Sequence, residues 1–319
     1  MVRPRTIGIR TTCSESAPRR MIIRILGAGA GGGLPQWNCG CAICGAVREG
    51  RIDPMTQSSV AVSSDGAAWA LLNAAPDLRV QMQACPALHP AGLRHSPLRA
   101  VVITNGDVDH VAGLLSLREK TAFDLFATPA TLEALAVNPI FGVLDPQYVL
   151  RRAMTLEEAF EPLPGLTITA YAVPGKVPLY LEGADFTDWP QTRQVGEQTI
   201  GLRIEDDRGV FHYLPGCADL PDWLCARLAE ADLLFFDGTV WADDDMLRSG
   251  TGRKTGARMG HMSMTGPDGS LARLAHLTGR RVYIHINNTN PVLLPEARER
   301  AEIAAAGWEL ARDGMEIVL

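Results

Sequence analysis

No stretch of this 319-residue chain approaches the roughly 20 consecutive apolar residues that cross a bilayer, and the N-terminus lacks the apolar segment of a secretory signal. A cytoplasmic protein that does not span a membrane is therefore expected. There is no basic excess either. The net charge is -6, which argues against the broad phosphate-binding surface of a general nucleic-acid binder. Seven cysteines, an odd number scattered except for one cluster, do not make a disulfide framework. No solenoid repeat and no low-complexity segment occurs. With 46% hydrophobic residues, the chain has the material for one large core or two modest ones.

Residues 1–20 mix arginine with serine and threonine without strand or helix periodicity, and are expected to be a disordered extension that includes Cys13. From Met21 onwards short β-branched runs alternate with amphipathic stretches. "MIIRILGA", "SSVAVS", "AWALLNA", "LRAVVIT" and "DLFATP" read as strands, and "DHVAGLLSLREK" and "PATLEALAVN" as helices. The second half repeats the habit with "LTITAYAV", "QTIGLRI", "GVFHYLP", "ADLLFFDG", "RRVYIHI" and "GMEIVL" as strands. "PDWLCARLAEA", "GSLARLAHLTG" and "PEARERAEIAAAG" read as its helices. Two β-rich halves that each carry helices predict an α/β fold, a four-layer αββα sandwich over residues 21–319, with a doubly wound sheet as the competitor. Residues 175–193 read as an irregular surface loop.

The run "GAGAGGG" follows a strand, but no helix begins within it, so a dinucleotide fingerprint is disfavoured. Its glycines read instead as backbone that must pass close to something. Immediately beyond lie Cys39, Cys41 and Cys44, spaced C-x-C-x-x-C. Three such thiolates can converge on one tetrahedral zinc, with a fourth donor from elsewhere in the chain. A redox pair Cys41–Cys44 is the weaker reading, because no thioredoxin-like context surrounds it.

Four further places carry candidate chemistry. In "VVITNGDVDHVAGLL" a strand gives way to a polar loop and a helix, and presents Asp107, Asp109 and His110. The plainer alternative is that Asp109 caps the helix and His110 is a surface imidazole. His285 ends a strand before the turn Asn287, Asn288, Thr289, Asn290, and Asp237 ends a strand so apolar that its carboxylate needs a partner or a metal. The loop "GRKTGARMGHMSM" carries Arg253, Lys254 and Arg258 towards His261. It reads either as a cover for an anionic substrate or as a solvated basic loop.

Taken together, "GAGAGGGLPQWNCGCAIC", "TQSSVAV", "NAAPDLR", "DVDHVAGLLSLRE", "DGTVW", "MGHM" and "HINNTNPVL" resemble the coenzyme PQQ synthesis protein B family, a branch of the metallo-β-lactamase superfamily. The resemblance runs from Met21 to the C-terminus and implies the αββα sandwich. It places the superfamily's H-x-H-x-D-H motif on Asn105, Asp107, Asp109 and His110, so both leading histidines are missing, and no histidine stands in "AVPGKVP" where the next is due. What it leaves is one ion on Asp109, His110 and His285, with Asp237 at its edge as ligand and catalytic residue and His261 in proton transfer.

Two imidazoles and a carboxylate suit a non-heme ferrous centre, whereas two-metal hydrolysis needs donors for a second ion about 3.5–4 Å away. The resemblance implies iron-dependent hydroxylation of the tyrosine ring of a cross-linked Glu-Tyr intermediate of pyrroloquinoline quinone (PQQ), alongside other proteins of that pathway. A structural zinc is expected on the cysteines, and the catalytic iron is open to replacement by zinc on isolation. Arg253, Lys254 and Arg258, with Asn287 and Asn288, are the expected substrate contacts. Two alternatives are a single-zinc hydrolase and a carrier or exporter of the finished quinone.

Overall fold

The structure, a computed structural model, describes residues 20–183 and 191–319. The expected N-terminal extension thus lies, but for Arg20, outside the described residues, as does the middle of the loop expected over 175–193.

Two seven-stranded sheets face each other. One comprises β1 (Ile22–Gly27), β2 (Ser59–Ser63), β3 (Trp69–Leu72), β4 (Leu98–Val102), β5 (Phe123–Ala127), β6 (Val149–Ala153) and β14 (Glu316–Val318), in the order β14-β1-β2-β3-β4-β5-β6. The other comprises β7 (Ala159–Leu163), β8 (Leu166–Gly175), β9 (Gln194–Glu205), β10 (Val210–Leu214), β11 (Leu233–Asp237), β12 (Arg280–Ile284) and β13 (Trp308–Leu310), in the order β13-β12-β11-β10-β9-β8-β7. From β14 to β3 pairing is antiparallel and from β3 to β6 parallel. The second sheet has the same split, parallel from β13 to β10 and antiparallel from β10 to β7.

The period of two along the strands builds the layers. Val60, Val62, Ala70, Leu72 and Val102 face Ile168, Leu202, Phe211, Phe235 and Val282 in the core between the sheets. Their neighbours Ala61, Leu71 and Val101 turn the other way, under Leu78 and Leu135 of the helices Leu78–Ala84 and Pro129–Ala136. Leu234, Phe236 and Tyr283 lie likewise under Leu224 and Ile303 of the helices Asp222–Leu228 and Arg298–Ala305. Strands covered on both faces read as continuous apolar runs, which is why "VVI" and "LLFF" show so little alternation. Phe235 is fully buried between the sheets, and its truncation to alanine costs about 3–5 kcal/mol.

The expected αββα sandwich is therefore the observed one. Several elements differ from expectation. The strands β6 and β7 lie at sheet edges with mostly exposed residues, so they lack an apolar signal. The "GSLARLAHLTG" segment yields only the turn Ser270–Arg273. In "DHVAGLLSLREK" a short α-helix Val108–Val111 tightens into a 3-10 helix Ala112–Leu117.

Topology then gathers the polar residues. The parallel strands β4, β11 and β12 deliver Thr104, Asp237 and His285 just at or beyond their C-terminal ends, where open α/β sheets commonly carry their sites. Asp237 lies in register with Ile284, and Gly238 N–H donates to Ile284 O at 2.7 Å, so Thr239 and His285 are neighbours. His285 adopts φ 59°, a left-handed conformation uncommon for a residue with a β-carbon.

Candidate metal centres

The glycine run is drawn along this end of the sandwich by Ala30 N–H to Ile286 O and Ile286 N–H to Ala28 O, both 2.9 Å. A β-carbon on Gly31 would sit 3.3 Å from Asp109 Oδ2. The close approach expected of these glycines is thus to a carboxylate of the site.

The sulfur centre draws Cys39 and Cys41 from a loop and Cys44 from the first turn of the helix Ala42–Arg48, which Cys41 caps by accepting from Cys44 N–H at 3.5 Å. The three sulfurs lie within 4.8 Å of one another. Asn288, buried, brings its side-chain amide nitrogen to 3.2 Å from Cys39 Sγ, 3.3 Å from Cys44 Sγ and 3.9 Å from Cys41 Sγ. Sulfur at about 2.3 Å and nitrogen or oxygen at about 2.0 Å from a zinc ion leave tetrahedral corners about 3.6 Å apart. The amide end of Asn288 thus stands where a fourth donor belongs, and a half-turn about its last bond presents the oxygen instead. Burial pushes the Cys44 thiol up to about 11. Burial acts the same way on Cys41, but the Cys44 backbone bond and its sulfur neighbours outweigh it and hold that thiol below its ordinary value.

The second centre gathers Asp109, His110 and His285, whose donor atoms also lie within 4.8 Å of one another. Asp109 Oδ2 is 3.0 Å from His285 Nε2 and 3.8 Å from His110 Nε2. Two donors about 2.1 Å from one ion and at right angles are about 3.0 Å apart, so the first spacing fits a shared ion. His110 is buried, so it is not a surface imidazole, and the helix-capping position belongs to Asp107 rather than Asp109.

Each histidine is fixed from behind by a threonine. Thr239 Oγ1 accepts from His285 Nδ1–H at 2.8 Å and donates to Asp237 Oδ1 at 2.7 Å. Thr104 Oγ1 accepts from His110 Nδ1–H at 3.3 Å and donates to Oδ1 of the buried Asn73 at 3.1 Å. The threonines thereby occupy Nδ1 of each ring and turn Nε2 towards Asp109, whose carboxylate accepts from His285 Nε2–H at 3.0 Å. The sequence reading overlooked Thr104, Thr239 and Asn73. The available signal was a threonine at a strand end (Thr104) and one two residues past a buried strand-end aspartate (Thr239).

The charges follow this packing. Burial would raise the Asp109 carboxyl, but His110 and the bond to His285 outweigh it and hold it well below the carboxylate range. Burial lowers His110 to about 4. Burial also opposes charge on His285, yet Asp109 and Asp237 hold its imidazole above the ordinary value.

Asp237, with His261 and His285, makes a further group whose donor atoms lie within 4.8 Å of one another, and it shares His285 with the group of Asp109 and His110. The Oδ1 of Asp237 accepts from Thr239 N–H at 3.0 Å and from the Thr239 hydroxyl; its Oδ2 accepts from Cys217 N–H at 2.8 Å and His261 Nδ1–H at 2.6 Å. A carboxylate offers about four acceptor positions, and all four are taken. Asp237 pairs with His261 and leaves His261 Nε2 as the free ring nitrogen. Burial would raise its carboxyl, but His261 outweighs that and holds it below its usual range. The His261 and His285 rings stack at 5.2 Å.

A cavity of about 60 Å³ adjoins the three donors and is lined also by His261, Asp107 and Lys176. None of the five expected substrate contacts lines it. Arg253 and Lys254 are exposed on their loop, Arg258 donates to Glu182 Oε2 at 2.7 Å, Asn287 donates to Thr289 Oγ1 at 2.7 Å, and Asn288 faces the sulfurs.

Two facing mixed sheets with ion donors at the ends of parallel strands define a class, and a family model described as a beta-lactamase superfamily domain matches residues 68–286. The chain belongs to the coenzyme PQQ synthesis protein B family. It is 56% identical over 299 residues to the coenzyme PQQ synthesis protein B of Ruegeria pomeroyi, covering 94% of this chain and all of that one. It is 54% identical over 303 residues to that of a Methylorubrum extorquens strain, with the same coverage. The crystal structure of Zn(2+)-bound PqqB from Methylobacterium extorquens superposes with a TM-score of 0.91 at 53% identity, over 93% of this chain and all of that one. Among the described residues no helix is long and apolar enough to cross a membrane.

Proposed function

We propose that the chain acts in PQQ biosynthesis as a single-ion oxygenase that hydroxylates the tyrosine ring of the cross-linked Glu-Tyr intermediate. Ferrous iron would be held by Asp109, His110 and His285, and a structural zinc by Cys39, Cys41 and Cys44. The observation that carries this reading is the donor set at the strand ends: two imidazoles and one carboxylate, from His110, His285 and Asp109, bring their donor atoms within 4.8 Å of one another. Two imidazoles and a carboxylate form the triad of non-heme iron oxygenases, and ferrous iron bound there supplies the activation of dioxygen.

The chain's own residues do the rest. Thr104 and Thr239 hold the imidazoles from behind at Nδ1, and Asp237 orients His261 so that Nε2 takes or gives a proton at the cavity wall. The decisive experiment is anaerobic reconstitution with ferrous iron, addition of the intermediate and then dioxygen, and mass analysis of the product. Gain of one oxygen atom drawn from dioxygen is expected.

A single-zinc hydrolase is the second reading, favoured by the zinc in the Methylobacterium relative's crystal. Zinc-dependent cleavage of an ester or phosphodiester, with no oxygen uptake under iron, replaces the first reading by the second.

A further inference from the structure

We infer that Lys176 and the ion together form a seat for a single oxyanion, the deprotonated oxygen end of the substrate. The inference rests on the single-ion reading above. Lys176 leaves the end of β8 and lines the cavity opposite Asp109, His110 and His285. Among the described residues it is the one cationic side chain, imidazoles aside, that does so. Its path is built for it: Gly260 has φ 85°, and a β-carbon there would lie 3.1 Å from Lys176 Cγ and 3.3 Å from Cδ. Its carbonyl accepts from Thr199 Oγ1 at 3.2 Å, which fixes the backbone at the cavity wall.

An ammonium has three N–H groups. One donates to Val177 O at 3.1 Å, and a second meets Glu182 Oε1 at 3.0 Å. Asp107 Oδ2, at 3.8 Å, is too far for a hydrogen bond, so the third N–H is left for the cavity. Glu182 is shared with Arg258 at 2.7 Å, so that acid does not neutralise Lys176 by itself. Asp107 is also anchored elsewhere, its Oδ1 accepting from Leu179 N–H at 2.9 Å.

With a divalent ion bound, that ion and the ammonium outweigh Asp107 and Asp109, the two carboxylates that line the cavity, by one positive charge in the space they line. Such a space favours an anion. At about 60 Å³ it admits one functional group and leaves the body of a larger molecule outside. A carboxylate and a phenolate are the two sources of such an oxygen.

The test uses the full chain loaded with cobalt(II), whose visible bands report ligands that enter the ion's surroundings. Formate stands for the carboxylate and 4-nitrophenolate for the phenolate. Lys176→Met is expected to weaken one or both by about tenfold or more while cobalt content stays constant, and the probe affected names the source. Asp107→Asn removes the opposing charge and is expected to tighten the same probe by about threefold. A purely structural Lys176 predicts no such opposite pair of effects. Binding of both probes to Lys176→Met within about twofold of the unaltered chain, loss of cobalt together with the probe, or weakening by Asp107→Asn overturns the inference. Should His110→Ala hold as much cobalt as the unaltered chain, the single-ion reading falls and takes this inference with it. If that control loses about one equivalent of cobalt, that of the nitrogen–oxygen centre, and Lys176→Met binds the probes normally, only the inference falls.

Discussion

The sulfur centre and the nitrogen–oxygen centre meet at one turn, where His285 serves one and Asn288, three residues on, abuts the other. They are built on opposite plans. Three of the four groups at the sulfur centre come from six consecutive residues, so its geometry is written locally, in a loop and the first turn of one short helix. The other centre joins segments 176 residues apart, and only the register of β11 against β12 and the turn after β4 bring them together. Their supports differ accordingly. Behind each histidine stands a threonine whose own proton goes to a buried acceptor, whereas the cysteines rest on one another and on a single amide. A locally written site tolerates loose support; an assembled one needs each donor held separately.

The largest effect that separates the two is expected from His110→Ala. Removing one of three donors should empty the nitrogen–oxygen centre and leave the sulfur centre filled, so that metal content falls from about two equivalents per chain to about one. Elemental analysis after dialysis checks it. Two equivalents retained in the variant would mean that the donors of the second centre lie elsewhere.

Next in size is Thr239→Val, which removes the acceptor at 2.8 Å from His285 Nδ1 and one partner of Asp237 Oδ1. Loss of such a supporting hydrogen bond commonly costs about 10–100-fold in metal affinity. Thr239→Ser restores the hydroxyl and should restore the affinity. The corresponding Thr104→Val is expected to cost less, because its bond to His110 is longer, at 3.3 Å. Competition titration with a chelator ranks the three, and equal losses from both valines would remove the distinction.

That ranking also shows what was legible in the sequence. The C-x-C-x-x-C spacing is complete within one line of text and needs no fold to interpret. Asp109, His110 and His285 came together through resemblance to a family, since spacing alone cannot say that β12 ends beside the turn after β4. The threonines were invisible because Thr is common at strand ends, and their meaning lies in partners reached only after folding. Lys176 was missed for a related reason: lysine is ordinarily solvated, and attention went to the denser basic loop 253–258, of which Arg258 is engaged by Glu182, 76 residues away. The sheets were easier, except for β6 and β7, many of whose residues are exposed, and β13, which at three residues is too short to show a period.

A smaller difference concerns protons. A metal ion displaces them from its ligands, so affinity rises with pH wherever a ligand is protonated in the free chain. Cys44, pushed up to about 11, is a thiol at neutral pH, so the sulfur centre should gain about tenfold in zinc affinity per pH unit from this group alone, between about pH 7 and about pH 9. His110, lowered to about 4, carries no proton in that range and adds no slope. His285, which Asp109 holds above the ordinary imidazole value against the effect of burial, is the one histidine of that centre at which a proton competes with the ion. Zinc titrations at the two pH values, made on His110→Ala for the sulfur centre and on a triple Cys→Ser variant at 39, 41 and 44 for the other, should give a steep slope in the first case and a shallow one in the second.

The smallest and sharpest test is Asn288→His. The amide already stands 3.2–3.9 Å from all three sulfurs, and imidazole reaches about as far while binding zinc more strongly than an amide does. The sulfur centre should then hold zinc about tenfold more tightly and release it more slowly to a chelator. His285 lies three residues before the change, but its ring is held from behind by the Thr239 hydroxyl at 2.8 Å and faces Asp109 at 3.0 Å. Those bonds come from β11 and the turn after β4, not from the sulfur centre. Metal affinity at Asp109, His110 and His285 should consequently move by less than about twofold. A larger change would show that the 285–290 turn couples the two centres, and that each is not held by its own supports alone.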